Sequence, residues 1–143
     1  MNVKSSVKIE QVQCEVVPEI SNATWSNCLV IGKEVVFSGV TARGSDGSPE
    51  GGQSLQLQTE ACFRKIQHQL EAAGGHLGNL YKLVIYVTDV NRKAEVNEAR
   101  KQYFQKIFPC STLLGVSGFA FPDLLVEVDA FANLDVNLNQ SNQ

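Results

Sequence analysis

The chain has 143 residues and a mass of 15.6 kDa, which is the size of one domain. Its composition, 43% hydrophobic and 19% charged, is typical of a globular protein and excludes a disordered or fibrous chain. The net charge of −3 and the pI near 5.3 argue against a nucleic-acid partner, which requires clustered lysine and arginine. We therefore expect a single domain over residues 1–143, with its core at about 7–134 and a polar tail at 135–143.

The sequence contains no segment typical of a membrane or secreted protein. Its longest apolar run, residues 83–87, has five residues, whereas a membrane helix needs roughly 18. The first residues lack the apolar stretch of a signal peptide. We expect a cytoplasmic protein with no membrane partner.

The four cysteines form no C-x-x-C pair, and in a cytoplasmic protein we expect them to be reduced thiols. Because only two histidines are present, we expect no metal site. A redox function of Cys110 is an alternative that rapid alkylation at neutral pH would reveal.

The first third of the chain predicts strands. Partial alternation of apolar and polar residues predicts a strand at 7–12. The β-rich runs 29–31 and 35–37 flank a short turn that contains Gly32, so they predict a hairpin. The glycine-rich stretch 39–52 predicts a loop.

The rest of the chain alternates helices and strands. Apolar and small side chains recur at helical spacing from Leu55 to Ala73, which predicts a helix that stops at Gly74. The β-branched run 80–87 predicts a central strand. A second helix should start at Asp89 or Asn91, either of which can cap exposed amides, and should run to Pro109. Strands are predicted at 112–117 and 124–132.

The predicted order is therefore β-β-β-α-β-α-β-β, an α+β fold with one mixed six-stranded sheet. Two helices cover one face of the sheet. The other face carries apolar side chains from every strand, and a two-layer domain does not leave such a face in water. The pattern therefore predicts self-association through the open face.

Several strings along residues 25–132 resemble the Rid family of reactive intermediate deaminases, also called YjgF. They are Val36-Phe37-Ser38-Gly39, Leu70-Glu71-Ala72-Ala73-Gly74-Gly75, Lys82-Leu83-Val84-Ile85-Tyr86-Val87-Thr88-Asp89 and Leu125-Val126-Glu127-Val128-Asp129-Ala130-Phe131-Ala132. The resemblance implies a chorismate-mutase-like fold and a homotrimer with ligand clefts between subunits. Typical members hydrolyse enamines or imines to ketones and ammonia without a cofactor.

The resemblance implies a catalytic role for Glu127, which matches the late-strand glutamate expected to position or activate water. Asp129 should lie on the same strand face, because side chains repeat every second position. Two nearby carboxyl groups can raise the pKa of one of them. The alternative for Glu127 is an exposed carboxylate or a salt bridge between subunits.

Three further residues match positions around the family's cleft. Ser38 would offer a hydroxyl or a backbone donor to the cleft. The alternative is that Ser38 and Gly39 only form a turn that ends the strand. Trp25 stands where many members have a tyrosine, and its alternative is a core or interface aromatic. Asn97 would support the cleft, or else make a capping or intersubunit hydrogen bond.

The sequence departs from the family after Pro109. Ser111 stands where typical deaminases have the arginine that holds the substrate carboxylate, and a neutral hydroxyl cannot replace such a charged pair. Leu113 stands at the position of the common site cysteine, while Cys110 is offset from it. Arg43 is the leading candidate for a replacement cation, and Lys82 is a weaker one.

Two functions follow as hypotheses. The first is hydrolysis of a conjugated enamine or imine, because residues 38–51 also resemble the corresponding region of 2-aminomuconate deaminases. The second is a non-catalytic trimeric protein that binds a small metabolite. A nuclease function is disfavoured by the acidic balance.

Overall fold

The computed structural model describes residues 6–140. Within that range the chain forms seven strands and two α helices. They are β1 (Ile9–Gln11), β2 (Cys28–Ile31), β3 (Glu34–Phe37), β4 (Val40–Thr41), α1 (Leu55–Ala72), β5 (Leu80–Val87), α2 (Lys93–Tyr103), β6 (Cys110–Gly115) and β7 (Val126–Asn133). The predicted class and element order are confirmed. The additional strand is the two-residue β4, which lies inside the predicted loop 39–52.

The strands form one mixed sheet in the order β1-β2-β3-β7-β5-β6, and β4 also pairs with β7. Neighbouring strands are antiparallel except β5 and β6, which are parallel. Helix α2 makes the crossover between these two, as parallel neighbours require. Strands β1 and β6 are the outer strands of the sheet in the described part of the chain.

Three strands differ in their bounds from the prediction. Strand β1 covers only residues 9–11 of the predicted 7–12. Strand β6 begins two residues early, because Cys110 pairs with Lys82 at the start of the parallel ladder. Strand β7 begins later than predicted and ends at Asn133, which pairs with Glu34 of β3. In each of these three strands, pairing with the neighbouring strand determines where the strand begins or ends, and the local sequence does not.

Helix α1 has the ends that its sequence predicts. Ser54 caps its first turn, where its hydroxyl accepts a hydrogen bond from the amide of Leu57 at 3.1 Å. After the helix, Gly74 adopts a φ of +88°, a left-handed conformation that favours glycine. The helix therefore stops where predicted.

Helix α2 is shorter than predicted, because it ends at Tyr103 and not at Pro109. Its start agrees better: Asp89 caps a short 3-10 turn just before it, accepting from the amide of Asn91 at 3.0 Å. At the other end Phe104 adopts an extended conformation. Its ring packs edge-on against Phe63 of α1 at 5.1 Å between centroids. This contact between helices ends α2 early.

Both helices pack on one face of the sheet, as expected. The core joins Phe63, Ile66 and Leu70 of α1 to buried side chains such as Ile85 of β5 and Val128 of β7. Full burial of an apolar side chain of this size stabilises the fold by roughly 1.5–3 kcal/mol. The core therefore fixes α1 against the centre of the sheet.

The opposite face of the sheet is mixed rather than uniformly apolar. Val36, Leu114 and Phe131 remain exposed there. Lys82 alternates with buried residues of β5 and so points to the same open side. Self-association through this face stays a prediction.

The described part of the polar tail, residues 135–140, is bonded to the rest of the fold. The amide of Leu138 donates to the carbonyl of Gly78 at 2.9 Å. The buried Asn79 side chain donates to the carbonyl of Val136 at 2.7 Å. These contacts hold residues 135–140 against the turn before β5.

No helix within residues 6–140 is both long and apolar enough to cross a membrane.

Candidate functional site

A β-bulge lies between β3 and β4. Val36 pairs with Phe131 and Val40 pairs with Val128, so three residues of one strand stand opposite two of β7. The extra residue falls at Ser38-Gly39, and bulges of this kind bend a strand and redirect its side chains. The Ser38 hydroxyl donates to the carbonyl of Ser26 at 2.6 Å. The bulge is therefore tied to the preceding chain segment.

The Glu127 side chain lies against this bulge. Glu127 pairs with Thr41 of β4, and a Cβ atom added to Gly39 would stand 2.7 Å from its Oε2. Gly39 thus leaves the space that the carboxylate occupies. Burial raises the pKa of Glu127, and the nearby Asp129 raises it further. Asp129 itself accepts a hydrogen bond from the Tyr86 hydroxyl at 2.9 Å.

A groove of about 780 Å³ opens beside the bulge. It is bounded by residues 15–27, the bulge, the loop 43–50 and one side of α1. Trp25, Ser38 and Arg43 of the predicted site residues line it, together with Gly39. Glu127 is not among the lining residues, but its carboxylate lies against Gly39, which is one of them. Trp25 is half exposed and does not belong to the core.

Arg43 has no carboxylate partner among residues 6–140. Its guanidinium instead stacks on the ring of Phe121, with 3.7 Å between the guanidinium carbon and the ring centroid. A stacked guanidinium keeps its in-plane N–H groups available for an anion. Arg43 can therefore bind a carboxylate in the groove.

Sequence analysis missed two polar residues of α1 that line the groove, Lys65 and Gln69. The Lys65 ammonium donates to the carbonyls of Thr41 and Arg43, both at 2.7 Å, and burial lowers its pKa. Gln69 is 1% exposed, and its buried Oε1 has no hydrogen-bond partner within residues 6–140. Their spacing of four residues places both on one side of the helix. This spacing was the sequence signal that could have identified Lys65 and Gln69 as neighbours on one side of α1.

Four predicted site residues lie elsewhere in the chain. Asn97 is exposed on α2. Ser111, Leu113 and Cys110 lie on β6, which is separated from β7 by β5. Leu113 pairs with the buried Ile85 and faces the helices, whereas Cys110 pairs with Lys82 and faces the open side. Within one chain these residues do not join the groove, and their binding roles stay predictions.

The four cysteines differ in burial, and Cys14 is half-buried. Cys28 and Cys62 are buried, and burial raises the pKa of each thiol to about 12, which makes them unreactive. Cys110 is exposed. Among residues 6–140, no three histidine, cysteine or acidic side chains are grouped in a way that could hold a metal ion.

Residues 18–134 match the family model described as endoribonuclease L-PSP. A crystal structure of a protein of unknown function from Pseudomonas aeruginosa is 40% identical. It superimposes with a TM-score of 0.87 over 95% of this chain and 99% of that one.

Two curated relatives match a shorter region. A RutC family protein of Pyrococcus horikoshii is 35% identical over 54% of this chain and 61% of its own length. The Escherichia coli protein TdcF, whose name assigns it provisionally to the reactive intermediate deaminases, is 28% identical over 54% of this chain and 62% of its own length. The alignments thus cover about three fifths of these relatives.

Proposed function

This chain belongs to the Rid/YjgF family, and from that premise we propose that it is a hydrolytic deaminase of a conjugated enamine or imine. The observation that carries the proposal is the Glu127 carboxyl, which lies against the groove-lining Gly39 and whose pKa is raised by burial. A raised pKa makes a carboxylate a better acceptor for a proton from water. The deaminase name of TdcF supports the same reaction class.

In the proposed reaction, Glu127 activates a water molecule. The water oxygen bonds to the imine carbon while the carboxylate takes one of its protons. Glu127 passes that proton to the nitrogen, which gives a neutral carbinolamine. The carboxylate then takes the hydroxyl proton of the carbinolamine and delivers it to the nitrogen. The carbon–nitrogen bond breaks, ammonia leaves, and the oxygen lone pair forms the carbonyl. An enamine enters the same path after protonation at carbon to the imine.

Arg43 is the proposed anchor for the substrate carboxylate. Its guanidinium lies on the groove and has no acidic partner among residues 6–140, whereas the other lining cation, Lys65, is already bonded to two carbonyls. An unsaturated amino-dicarboxylate of the 2-aminomuconate type is therefore the first substrate class to test. The net charge of −3 disfavours RNA as the substrate.

The proposed assembly is a homotrimer in which a second copy completes the groove. The exposed Val36, Leu114 and Phe131 on the open face of the sheet support it, because association would cover them. Sedimentation equilibrium should give three times the chain mass. A monomer would contradict the proposed shared cleft.

The purified protein should release ammonia from 2-aminomuconate-type enamines faster than buffer alone. Arg43→Gln should raise KM about tenfold to a hundredfold, the usual effect of losing a charge-assisted hydrogen bond. Lys33→Gln, which removes the same charge from the exposed hairpin turn, should leave KM unchanged. A substrate panel with no release above buffer contradicts the proposal. Ligand binding without turnover would instead favour the non-catalytic alternative.

Gly39→Ala tests the position of the Glu127 carboxylate. The new methyl group would stand 2.7 Å from Oε2 and 2.9 Å from Cδ, so the flexible carboxylate has to move. We expect kcat to fall by up to about a hundredfold, as for a catalytic group misplaced by about 1 Å, with little change in thermal unfolding. Gly118→Ala is the matched control, because no atom of the described residues other than its chain neighbours lies within 4 Å of its added Cβ. An unchanged kcat in Gly39→Ala would contradict the role of this contact.

A further inference from the structure

Gln69 is a buried polar side chain with an unsatisfied acceptor in the described part of the chain. It lies on α1 and is 1% exposed, and its Oε1 has no hydrogen-bond partner within residues 6–140. Gln58 is also fully buried on this helix, but its side chain makes three hydrogen bonds to the backbone. Because buried polar atoms are nearly always satisfied, an unsatisfied one at the wall of a groove indicates a partner from outside the chain.

Gln69 lines the groove together with Lys65, which lies one turn earlier on α1. The Lys65 ammonium donates to the carbonyls of Thr41 and Arg43, both at 2.7 Å. An ammonium group has three N–H donors, so one donor remains beyond these two bonds. No carboxylate within residues 6–140 forms an ion pair with Lys65. This side of α1 therefore offers an unpaired acceptor and a spare donor.

The groove joins this side of α1 to Arg43, the proposed carboxylate anchor. Its volume of about 780 Å³ is in the range of sites that hold drug-sized ligands. Val16, Val17 and Ile20 also line it, and such apolar side chains suit a hydrocarbon chain. A ligand with its carboxylate at Arg43 can therefore extend along these apolar side chains and bring a second polar group to α1.

The second group should be a hydrogen-bond donor as well as an acceptor. A carboxylate only accepts, so it would leave the Oε1 of Gln69 without a partner. A primary carboxamide donates through its NH₂ group and accepts through its oxygen, so it can pair with the Gln69 amide and also accept from Lys65. A half-turn about χ3 exchanges the oxygen and nitrogen of a glutamine, and a carboxamide matches both orientations.

The charges along the groove favour a neutral second group. The lining residues include two acidic side chains, Glu15 and Glu50, and two basic ones, Arg43 and Lys65. Glu127 adds a negative charge beside the groove when it is ionised. A single ligand carboxylate at Arg43 is compatible with this balance. A second carboxylate beside the Gln69 oxygen would lose its hydration without full compensation.

We propose that Lys65 and Gln69 form a subsite for the carboxamide group of a ligand whose carboxylate is held by Arg43. The proposal rests on the proposed function for that anchor, and it narrows the substrate class from an amino-dicarboxylate to the monoamide of one. Gln69 sets the preference, because its Oε1 needs a donor that a carboxylate cannot supply.

The test is a calorimetric titration of the full chain with three saturated ligands of matched length. Adipamate carries a carboxylate and a primary carboxamide. Adipate replaces the carboxamide with a second carboxylate, and 6-oxoheptanoate replaces the NH₂ group with a methyl group. Adipamate should bind about tenfold more tightly than either of the others, since only adipamate can donate to the Oε1 of Gln69.

Three variants identify the residues responsible. Gln69→Leu should bind adipamate and 6-oxoheptanoate equally, while urea unfolding shows a protein at least as stable as the wild type. Gln67→Leu makes the same substitution two residues away, at a position that does not line the groove, and should keep the tenfold preference. Lys65→Met should weaken both of these ligands by a similar factor, because both accept through a carbonyl oxygen.

Binding of these ligands requires no deamination, so the subsite and the proposed function fail separately. Glu127→Gln should keep the preference for adipamate although its ammonia release is lost. A preference for adipamate in a protein that releases no ammonia from any enamine would remove the proposed reaction and leave the subsite. Ammonia release without a preference for adipamate would remove the subsite alone.

Several results would overturn the assignment. They are equal affinity of the wild type for adipamate and 6-oxoheptanoate, tighter binding of adipate, a preference that is retained in Gln69→Leu, and no binding of any of the three ligands. If Gln69→Leu does not fold, the comparison of the three ligands on the wild-type protein still decides the question.

Discussion

Glu127→Gln should abolish ammonia release, with kcat lowered by about a hundredfold to ten-thousandfold. The glutamine keeps the size of the side chain behind Gly39 but cannot accept a proton from water. Steady-state ammonia assays measure the effect, and the affinity for a substrate analogue should stay within a small factor of the wild-type value. A variant that retains most of its kcat would contradict the catalytic assignment of Glu127.

The pH dependence provides a second check on Glu127. Burial first, and the Asp129 charge second, raise the pKa of this carboxyl group. The reaction needs the ionised form, so activity should fall on the acid side at a higher pH than an ordinary glutamate would give. Asp129→Asn removes one of the two causes and should move the acid limb of kcat/KM to lower pH. An unmoved limb would show that another group controls it.

Stability separates lost chemistry from lost structure in the Glu127→Gln variant. A carboxyl group whose folded-state pKa is raised stabilises the fold below its unfolded-state pKa, and that contribution is lost as pH rises through the folded-state pKa. At neutral pH the ionised Glu127 is therefore unfavourable to folding. The glutamine variant should be at least as stable there as the wild type, as measured by urea unfolding.

Gln58→Leu should destabilise the protein by about 3 kcal/mol or more. Gln58 is fully buried in α1, and its side chain donates to the carbonyls of Gly52 at 2.7 Å and Asp123 at 3.0 Å. It also accepts from the amide of Leu125 at 2.9 Å. Leucine would remove all three of these partly buried hydrogen bonds, each of which contributes about 1 kcal/mol. Urea unfolding with a linear extrapolation measures the change.

Gln69→Leu is the matched control, since it makes the same substitution at another fully buried position of the same helix. The Oε1 of Gln69 has no hydrogen-bond partner in the part of the chain that the structure describes, so leucine removes an unsatisfied group instead of creating several. We expect unchanged or higher stability, by about 1 kcal/mol. Equal destabilisation by both substitutions would contradict the difference in bonding that the structure assigns to the two glutamines.

The sequence alone determined the local elements and the family. The spacing of Leu55, Cys62 and Ile66 predicted α1, and the β-branched run 80–87 predicted β5. Alternation along a strand also placed Glu127 and Asp129 on one face. These features depend on neighbours a few residues away, which a single sequence contains in full.

Only the tertiary structure decided how the groove and the bonded core around it are built. Ser38 bonds to Ser26, Lys65 to Thr41, and Gln58 to Leu125, across 12, 24 and 67 residues. The bulge and the early end of α2 likewise depend on the pairing and packing of distant elements. Pairing and packing across such separations are set by the whole core and not by local periodicity. They therefore cannot be predicted from any single stretch of the sequence.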